Sequence, residues 1–302
     1  MVYKSSNLAI IIPSINYQNV KTCLDSIKNQ TKEVGQTIIV FDKKNNSKST
    51  KNIIFSHTNK SNQVFQRNHG LNLINKKIKL ILQLDDKFYL HKKAIENLIN
   101  EWNSAEDNVA GIGIKSNFTY HNLDKFTFLK YITLTGYKQP GKVLISGFNT
   151  PLISKNKLTD VDWLQGGLSS WKLKHVPNIF NRSYPLVKWS IFEDLIFSFH
   201  VKFEKKLKLQ MSSGRKAFVL KKTKENYSAI EYYRRGYEYA KMHKVFVYLN
   251  QKKLSKIAFF YSYIISSVGG VLWCSLKFST KLFFYLGRLN GIFVNTKKIK
   301  VL

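Results

Sequence analysis

Short apolar runs, separated by stretches with helical spacing, are the feature that most restricts the fold of this 302-residue chain. Such runs are typical of strands that are buried on both faces of a parallel sheet. The runs occupy residues 8–13, 37–41, 53–55 and 80–84. Between the first two runs, apolar residues recur at helical spacing, at Val20, Cys23, Leu24 and Ile27. This order predicts an α/β fold with a mostly parallel, Rossmann-like sheet flanked by helices.

Polar residues stand at the ends of three of these runs. Pro13 and Ser14 end the first, Asp42 follows the second, and Asp85 and Asp86 follow the fourth. Because parallel strands end at one edge of a sheet, where open α/β sheets bind ligands, we expect these residues to lie together. Adjacent carboxylates repel each other and are often paired with a cation, although two acids also occur in solvated turns.

A second acidic pair, Glu193 and Asp194, begins a helical stretch that continues to Phe203. Acids in a first helical turn are favoured by the helix dipole, so a capping role alone also explains them. Upstream, Gly166 and Gly167 lie in a turn between apolar flanks, which indicates a close approach of the backbone to a neighbour. Further along, residues 207–220 are typical of two strands and residues 227–248 of a helix rich in Tyr, Arg and Lys.

The charge of the chain is strongly positive, with 49 Lys and Arg against 18 Asp and Glu. A formal charge of +31 attracts nucleic acid, anionic lipid headgroups or phosphorylated substrates. The hydrophobic content of 44% argues against wholesale disorder. The two cysteines, Cys23 and Cys274, have no Cys or His neighbour at metal-ligand spacing, so neither a zinc site nor a disulfide framework follows.

The C-terminal part differs from the rest of the chain. Residues 257–276 carry no charge and are long enough for a membrane helix, and a second apolar run follows at 282–294. Serines and glycines lower the hydropathy, so an in-plane amphipathic hairpin on an anionic leaflet fits as well as a span. We expect a domain at 1–225 and a helical, apolar, basic region at 226–302. Because the first residues lack a secretory signal, we expect the bulk of the chain in the cytoplasm.

Seven segments, in order, resemble the family 2 glycosyltransferases, enzymes with the A-type nucleotide-sugar fold. The resemblance covers roughly residues 7–220 and rests on the order of the segments more than on any one of them. They are Ile11-Ile12-Pro13-Ser14 with Asn16, Cys23-Leu24-Asp25-Ser26-Ile27 with Gln30-Thr31, Ile38-Ile39-Val40-Phe41-Asp42, Arg67-Asn68-His69-Gly70, Leu84-Asp85-Asp86, Trp163-Leu164-Gln165-Gly166-Gly167, and Glu193-Asp194.

This resemblance implies a binding site for a nucleotide-diphosphate sugar. Pro13, Ser14 and Asp42 would line the base pocket, and Arg67 would approach the diphosphate or complete the nucleotide pocket. The two acids of the metal motif, Asp85 and Asp86, would face the ribose and hold Mg²⁺ or Mn²⁺. The backbone of Gly166 and Gly167 would approach the sugar, and Trp163 would offer an apolar face to donor or acceptor.

The resemblance also implies a reaction. Asp194 would act as the general base on an acceptor hydroxyl, which attacks the anomeric carbon opposite the diphosphate and inverts its configuration. Glu193 would orient that base or contact the acceptor. Two departures from the family pattern weaken the implied metal site: Lys87 stands where many members have a third carboxylate, and no histidine occurs at 218–220. Lys43 and Lys44 replace the small and acidic residues that usually follow Asp42.

Together these expectations describe an inverting, metal-dependent sugar transferase at the cytoplasmic face of a membrane. The acceptor would be lipid-linked or a growing surface glycan. The alternative is a catalytically degenerate transferase fold that binds nucleic acid or an anionic surface, because aromatic and cationic residues alternate at 232–239 as they do in base-stacking grooves. The same helix leads directly into the apolar C-terminus, which favours a membrane interface over nucleic acid.

Overall fold

The computed structural model describes residues 2–15, 17–44, 48–59, 61–116, 128–153, 156–176, 191–219 and 227–295. The chain forms two compact units. Unit 1 comprises Met1–His121, Leu152–Arg182 and Lys188–Lys222. Unit 2 comprises Asn122–Pro151, Ser183–Val187 and Thr223–Leu302.

The described strands and helices alternate through most of unit 1, whereas the described elements of unit 2 are helical. The strands are β1 (Leu8–Ser14), β2 (Gln36–Phe41), β3 (Ile53–His57), β4 (Leu80–Leu84), β5 (Phe88–Leu90), β6 (Val109–Ser116), β7 (Thr159–Val161), β8 (Leu168–Lys172) and β9 (Lys208–Val219). The helices are α1 (Tyr17–Lys28), α2 (Gln63–Asn72), α3 (Ala94–Ser104), α4 (Phe128–Ile132), α5 (Glu193–Phe199), α6 (Ala229–Leu249), α7 (Lys256–Leu276) and α8 (Leu282–Gly291).

The predicted fold class is confirmed, since unit 1 is a central sheet flanked by helices. The sheet has the order β3-β2-β1-β4-β8-β6-β9-β5, with β7 beside β9. Strands β3, β2, β1 and β4 are parallel, and each apolar run of the sequence forms one of them. Every residue of β1, β2 and β4 is buried, as expected for strands covered on both faces. The parallel half of the sheet therefore ends its strands at one edge.

The second half of the sheet is mixed, which the apolar runs did not reveal. Strand β8 pairs antiparallel with both β4 and β6, and β9 pairs parallel with β6. Residues 207–220 were predicted as two strands, but the described part is the single strand β9 with register shifts against β6. Buried Glu101 of α3 holds this irregular stretch: its carboxylate accepts from the Ser213 backbone N–H and from Lys216 Nζ, each at 2.8 Å. These bonds stabilise one distorted strand where the sequence predicted two.

The pair Gln30-Thr31 ties the end of α1 to the segment before α3. Gln30 Nε2 donates to the carbonyl oxygens of Ser26 and His91, and the Ile95 N–H donates to Gln30 Oε1. The adjacent Thr31 hydroxyl donates to Glu96 Oε2 at 2.9 Å. This part of the family resemblance therefore joins α1 to α3 and supports the scaffold.

In unit 2, helices α6 and α8 cross at glycines. A Cβ at Gly236 of α6 would overlap the carbonyl of Phe284, and one at Gly287 of α8 would overlap the carbonyl of Tyr233. The two backbones therefore touch, which only a residue without a side chain allows. The apolar run at 257–276 forms α7, which among the described residues is the one helix long and apolar enough to cross a membrane, judged by length and composition alone.

Candidate active site

The candidate site lies at the carboxyl ends of β1, β2 and β4, and α2 holds these ends together. Gln66 of α2 donates to the carbonyl oxygens of Ser14 and Val40, at 2.9 and 2.8 Å. The Ser14 hydroxyl donates to one carboxylate oxygen of Asp86. The structure thus brings Ser14 and Asp86 together at the edge where the sequence placed them. Pro13 is buried in β1, opposite Val40 of β2.

Arg67 of α2 joins the two acidic pairs. Its guanidinium, whose side chain is 1% exposed, donates to Asp85 Oδ1 at 3.1 Å and to Glu193 Oε1. A buried cation between two carboxylates satisfies charges that burial would otherwise penalise. Spacing in the sequence contains no signal for this bridge, because the three residues belong to α2, to the loop after β4 and to α5.

Lys87 adds a second cation to Asp85. Its ammonium lies 3.0 Å from Asp85 Oδ2, and its side chain remains half exposed. Both oxygens of Asp85 are therefore in ion pairs within the protein. Burial alone would raise the pKa of Asp85, yet Arg67 and Lys87 together lower it below its ordinary value. Asp85 is consequently ionised throughout the neutral range.

The pKa values of the neighbouring acids are raised instead. Burial raises the pKa of Asp86 despite the hydrogen bond from Ser14, with a further contribution from the charge of Asp85. Burial also raises the pKa of Asp194, although N–H groups of Leu195 and Gly166 donate to its carboxylate. Carboxyl groups with raised pKa values accept protons more readily at neutral pH, which suits general base chemistry.

The glycine turn packs directly on these acids. A Cβ at Gly166 would lie 2.7 Å from Glu193 Oε1 and 3.1 Å from Arg67 Nη1, and one at Gly167 would overlap the Asp85 carboxyl group. The Asp85 N–H also donates to the Gly167 carbonyl at 2.8 Å. The close approach expected here is therefore made to the acid cluster of the protein. Trp163 is only 6% exposed and packs in the core, so little of its face is open to a ligand.

A left-handed backbone conformation precedes the second acid pair. Phe192, the residue before α5, is buried and has φ +64°. Bulky residues rarely adopt this conformation, which costs on the order of 1–3 kcal/mol and occurs most often at functional sites. No sequence pattern indicated it. It turns the chain sharply into α5, so that Glu193 meets Arg67 while Asp194, with a half-buried side chain, is left outside that ion pair.

The residues fit a divalent cation only in part. Both oxygens of Asp85 are in ion pairs with Arg67 and Lys87, so Asp85 does not fit the ligand role implied for it. Asp86 does fit, since it is half-buried and carries a carboxylate whose described partners, the Ser14 hydroxyl and the Lys87 backbone N–H, are both uncharged donors. No group of three or more His, Cys, Asp or Glu suited to a metal occurs among the described residues.

Asp42, the acid predicted to line the base pocket, follows β2 at the same edge of the sheet and is half-buried.

No protein-family model matches the chain, and no curated protein matches it. Solved structures do resemble it, among them the following two. The mannosyltransferase PcManGT from Pyrobaculum calidifontis, in complex with GDP-Man and Mn²⁺, has a TM-score of 0.52 and 11% identity, over 96% of this chain and 88% of that chain. S. aureus TarS 1-349 in complex with UDP-GlcNAc has a TM-score of 0.50 and 14% identity. That match covers 80% of this chain and 66% of that chain, just under two thirds of its length.

The fold is that of the A-type glycosyltransferases. At these identities the likeness shows a glycosyltransferase fold and does not distinguish one family from another, so membership of family 2 stays a prediction. Open α/β sheets bind their ligands at the carboxyl ends of the parallel strands. In this chain, that edge is the one that carries Ser14, Asp86 and the Arg67 cluster.

Burial of Glu193 predicts a pH dependence of stability. Burial raises its pKa to about 7 against an ordinary 4.5, although Arg67 opposes the shift. The folded protein therefore binds the proton of the Glu193 carboxyl group more tightly than the unfolded chain does. The stabilisation that this proton gives to the folded state is lost as the pH rises from about 4.5 to about 7. We expect the unfolding free energy of the wild type, relative to Glu193→Gln, to fall by on the order of 2 kcal/mol between pH 5 and 8.

Urea denaturation at the two pH values measures this difference. Glu106→Gln is the matched control, because Glu106 is an exposed acid in the same unit. Its unfolding free energy is expected to run parallel to that of the wild type. If the difference in unfolding free energy between the wild type and Glu193→Gln is the same at both pH values, Glu193 does not have the raised pKa.

Proposed function

We propose that the protein is a glycosyltransferase that moves a sugar from a nucleotide-diphosphate donor to an acceptor hydroxyl with inversion. The observation that carries this proposal is the Arg67 bridge between Asp85 and Glu193. It gathers two acid pairs, far apart in the chain, at the ligand-binding edge of an A-type glycosyltransferase fold. Glu193 and Asp194 have raised pKa values and lie near the buried Arg67 guanidinium. Carboxyl groups of this kind can take up the proton of an acceptor hydroxyl.

The donor half of the site would be formed by the parallel strands. Pro13, Ser14 and Asp42 would line the base pocket, and Asp85 would face the ribose. Arg67 holds Asp85 in place, and Lys87, half exposed beside it, would attract the diphosphate. The two structural neighbours were solved with UDP-GlcNAc and GDP-Man, which supports a nucleotide-sugar donor.

A divalent cation is part of the proposal through Asp86. The PcManGT structure contains Mn²⁺, and Asp86 fits as the carboxylate that would hold Mg²⁺ or Mn²⁺ here. Such an ion, when bound, neutralises charge on the departing nucleoside diphosphate. Lys87, which stands where many family members have a third acid, supplies positive charge in the same region.

Asp194 would be the general base on the acceptor side. Its raised pKa favours proton uptake from the acceptor hydroxyl as that oxygen attacks the anomeric carbon. Glu193 is tied to Arg67 and would orient the base or contact the acceptor. The backbone of Gly166 donates to Asp194 and, with Gly167, would pass close to the sugar. Attack from the face opposite the diphosphate gives inversion.

The acceptor would be lipid-linked or a growing surface glycan at the cytoplasmic face of a membrane. Helix α7, which is apolar and long enough to meet a bilayer, supports this location. The formal charge of +31 fits an anionic membrane surface.

The aromatic and cationic residues of α6 make contacts inside unit 2. The Arg235 guanidinium stacks 3.7 Å from the Tyr227 ring centroid, and Asn290 of α8 donates to the Tyr233 hydroxyl. Tyr232, Tyr237 and Tyr239 are half-buried. Residues that stack on nucleobases need exposed ring faces. The contacts of α6 therefore favour a transferase over the nucleic-acid-binding alternative.

A thermal-shift panel of nucleotide sugars with Mn²⁺ tests the proposal on the full chain. One donor class is expected to raise the melting temperature by roughly 5–10 °C at concentrations near 100 times its Kd. Asp86→Ala is expected to abolish the shift, whereas the exposed-site control Glu106→Ala is expected to keep it. A repeat with EDTA measures how much of the shift depends on the metal. A salt-sensitive response to oligonucleotides, with none to any nucleoside diphosphate, would establish the alternative instead.

A further inference from the structure

Helix α7 has two faces of opposite character. One face packs inside unit 2 and contains the buried residues Phe259, Ser262, Tyr263, Ser267 and Cys274. The other is exposed and apolar, and we refer to it as the α7 stripe: Ile257, Tyr261, Ile264, Ile265, Val268, Leu272, Trp273 and Leu276. Apart from the adjacent pairs 264/265 and 272/273, these positions recur every three or four residues, so they line one broad side of the helix from end to end. Ile257 is 83% exposed and Leu276 is 79% exposed, so the stripe is open at both ends.

The packed face of α7 is polar at its centre. The Tyr263 hydroxyl lies 3.0 Å from His243 Nδ1. The Ser266 hydroxyl accepts a hydrogen bond of 3.1 Å from Arg288 Nη2, and the Arg288 guanidinium lies 4.4 Å from the centroid of the Tyr263 ring. In a helix that crosses a bilayer, this contact would place a buried arginine at the depth of the hydrocarbon centre, which is costly.

The neighbouring helices are also unsuited to a membrane crossing. Helix α8 has ten residues, about 15 Å, so it cannot return across a hydrocarbon core of about 30 Å. It is in backbone contact with α6, a helix rich in Lys, Arg and Glu, through Gly236 and Gly287. If α7 spanned the bilayer, α8 would end inside the hydrocarbon core. The charged helix α6, which contacts the backbone of α8, would then lie in the hydrocarbon core as well. The geometry of unit 2 therefore excludes lipid from one whole side of α7.

Cations flank the α7 stripe at both ends. Exposed Lys252 and Lys253 and the half-buried Lys256 precede or begin the helix, and exposed Lys277 and Lys281 follow it. Lys277 Nζ lies 4.1 Å from the Trp273 ring centroid, and Phe278 beside it is 97% exposed. Tryptophan and lysine together are typical anchors at the boundary between headgroups and hydrocarbon. An apolar stripe between two basic ends complements a leaflet of anionic lipid.

We propose that the α7 stripe docks unit 2 onto an anionic membrane leaflet, with the axis of α7 parallel to the membrane plane and no crossing of the bilayer. This inference rests on the membrane location in the proposed function and is independent of the transfer chemistry. The apolar side chains would enter the headgroup boundary, and the flanking lysines would contact lipid phosphates.

Cosedimentation of the full chain with vesicles tests the docking surface. We expect binding to vesicles of phosphatidylcholine with phosphatidylglycerol, and much weaker binding to phosphatidylcholine alone. The double variant Leu272→Ser with Trp273→Ser is expected to reduce the partition coefficient roughly tenfold or more. The matched control is Ile230→Ser with Leu249→Ser, which changes two exposed apolar residues of α6 in the same unit and is expected to bind as the wild type does.

Depth measurements separate a docked helix from a spanning one. In a Trp273→Phe background, Ile265→Trp places a fluorophore at the middle of α7. The quenching of Trp273→Phe alone is subtracted, because four other tryptophans remain in the chain. Brominated lipids are expected to quench it when the bromines lie near the headgroups. Quenching strongest at the bilayer centre, with resistance to alkaline carbonate extraction, would overturn the proposal in favour of a span.

Two further outcomes would also overturn it. One is the absence of any binding to anionic vesicles. The other is a loss of self-association in the double variant with unchanged vesicle binding, which would assign the α7 stripe to a second copy of the chain. The nucleotide-sugar shift is measured on the same samples. A variant that loses vesicle binding but keeps the shift leaves the transferase proposal intact, and a wild type that binds vesicles without any shift leaves the docking proposal intact.

Discussion

Replacing Asp194 with asparagine is expected to lower the rate of sugar transfer by about 10²–10⁴, the range for loss of a general base. The substitution keeps the shape of the side chain and an oxygen that can accept the Leu195 N–H, so the backbone at the start of α5 is preserved. Donor affinity is expected to stay within about threefold, because the base acts on the acceptor. The measurement is the release of nucleoside diphosphate from the donor that the thermal-shift panel identifies.

The geometry distinguishes Asp194 from its neighbour. Glu193 Oε1 is held by Arg67, whereas the described bonds of Asp194 come from backbone N–H groups. A base has to release its hydrogen bonds to solvent or substrate at low cost, which a carboxylate in a buried ion pair does not do. Asp25→Asn, an exposed acid of α1, is the control and is expected to leave the rate unchanged. A transfer rate in Asp194→Asn equal to that of the wild type would remove Asp194 from the reaction.

Replacing Arg67 with methionine is expected to destabilise unit 1 by about 3–5 kcal/mol. Methionine fills a similar volume, so the main loss is the charge, which leaves Asp85 and Glu193 buried without their shared cation. The loss is expected to shrink toward pH 5, because Glu193, whose pKa burial raises to about 7, is then protonated and needs no partner. Chemical denaturation followed by tryptophan fluorescence measures both effects.

Lys208→Met is the matched control for Arg67→Met. Lys208 pairs with exposed Glu106 at 2.7 Å in the same unit, and its removal is expected to leave the stability close to that of the wild type. The double variant Arg67→Met with Glu193→Gln is expected to recover part of the stability, because one of the two buried charges is gone. Equal stability of Arg67→Met and the wild type at neutral pH would contradict the central position of Arg67 in the site.

The parallel half of the sheet was predictable from local patterns. Continuous apolar runs, such as 80–84, can be buried on both faces only in a covered sheet, so their order along the chain sets the parallel strands β1 to β4. The same argument predicts that polar residues at the ends of those strands, such as Ser14 and Asp86, lie together, since parallel strands end at one edge of the sheet. The antiparallel strand β8 between β4 and β6 was not predictable, because it has only five residues and they are not apolar throughout.

The sequence by itself determined the α/β class, the strand ends that carry the acids, and the apolar length of α7. These properties depend on neighbours within one strand or helix, so periodicity records them. Only the tertiary structure decided that Arg67 joins Asp85 to Glu193, that Lys87 occupies the second oxygen of Asp85, and that one face of α7 is buried. The sequence alone allowed Asp85 and Asp86 to be a solvated turn, and Glu193 and Asp194 to be a helix cap. In the structure α2, β4 and α5 pack at one edge of the sheet and bring the two pairs into one cluster. Ion pairs across such distances depend on topology and on burial, which no local pattern contains.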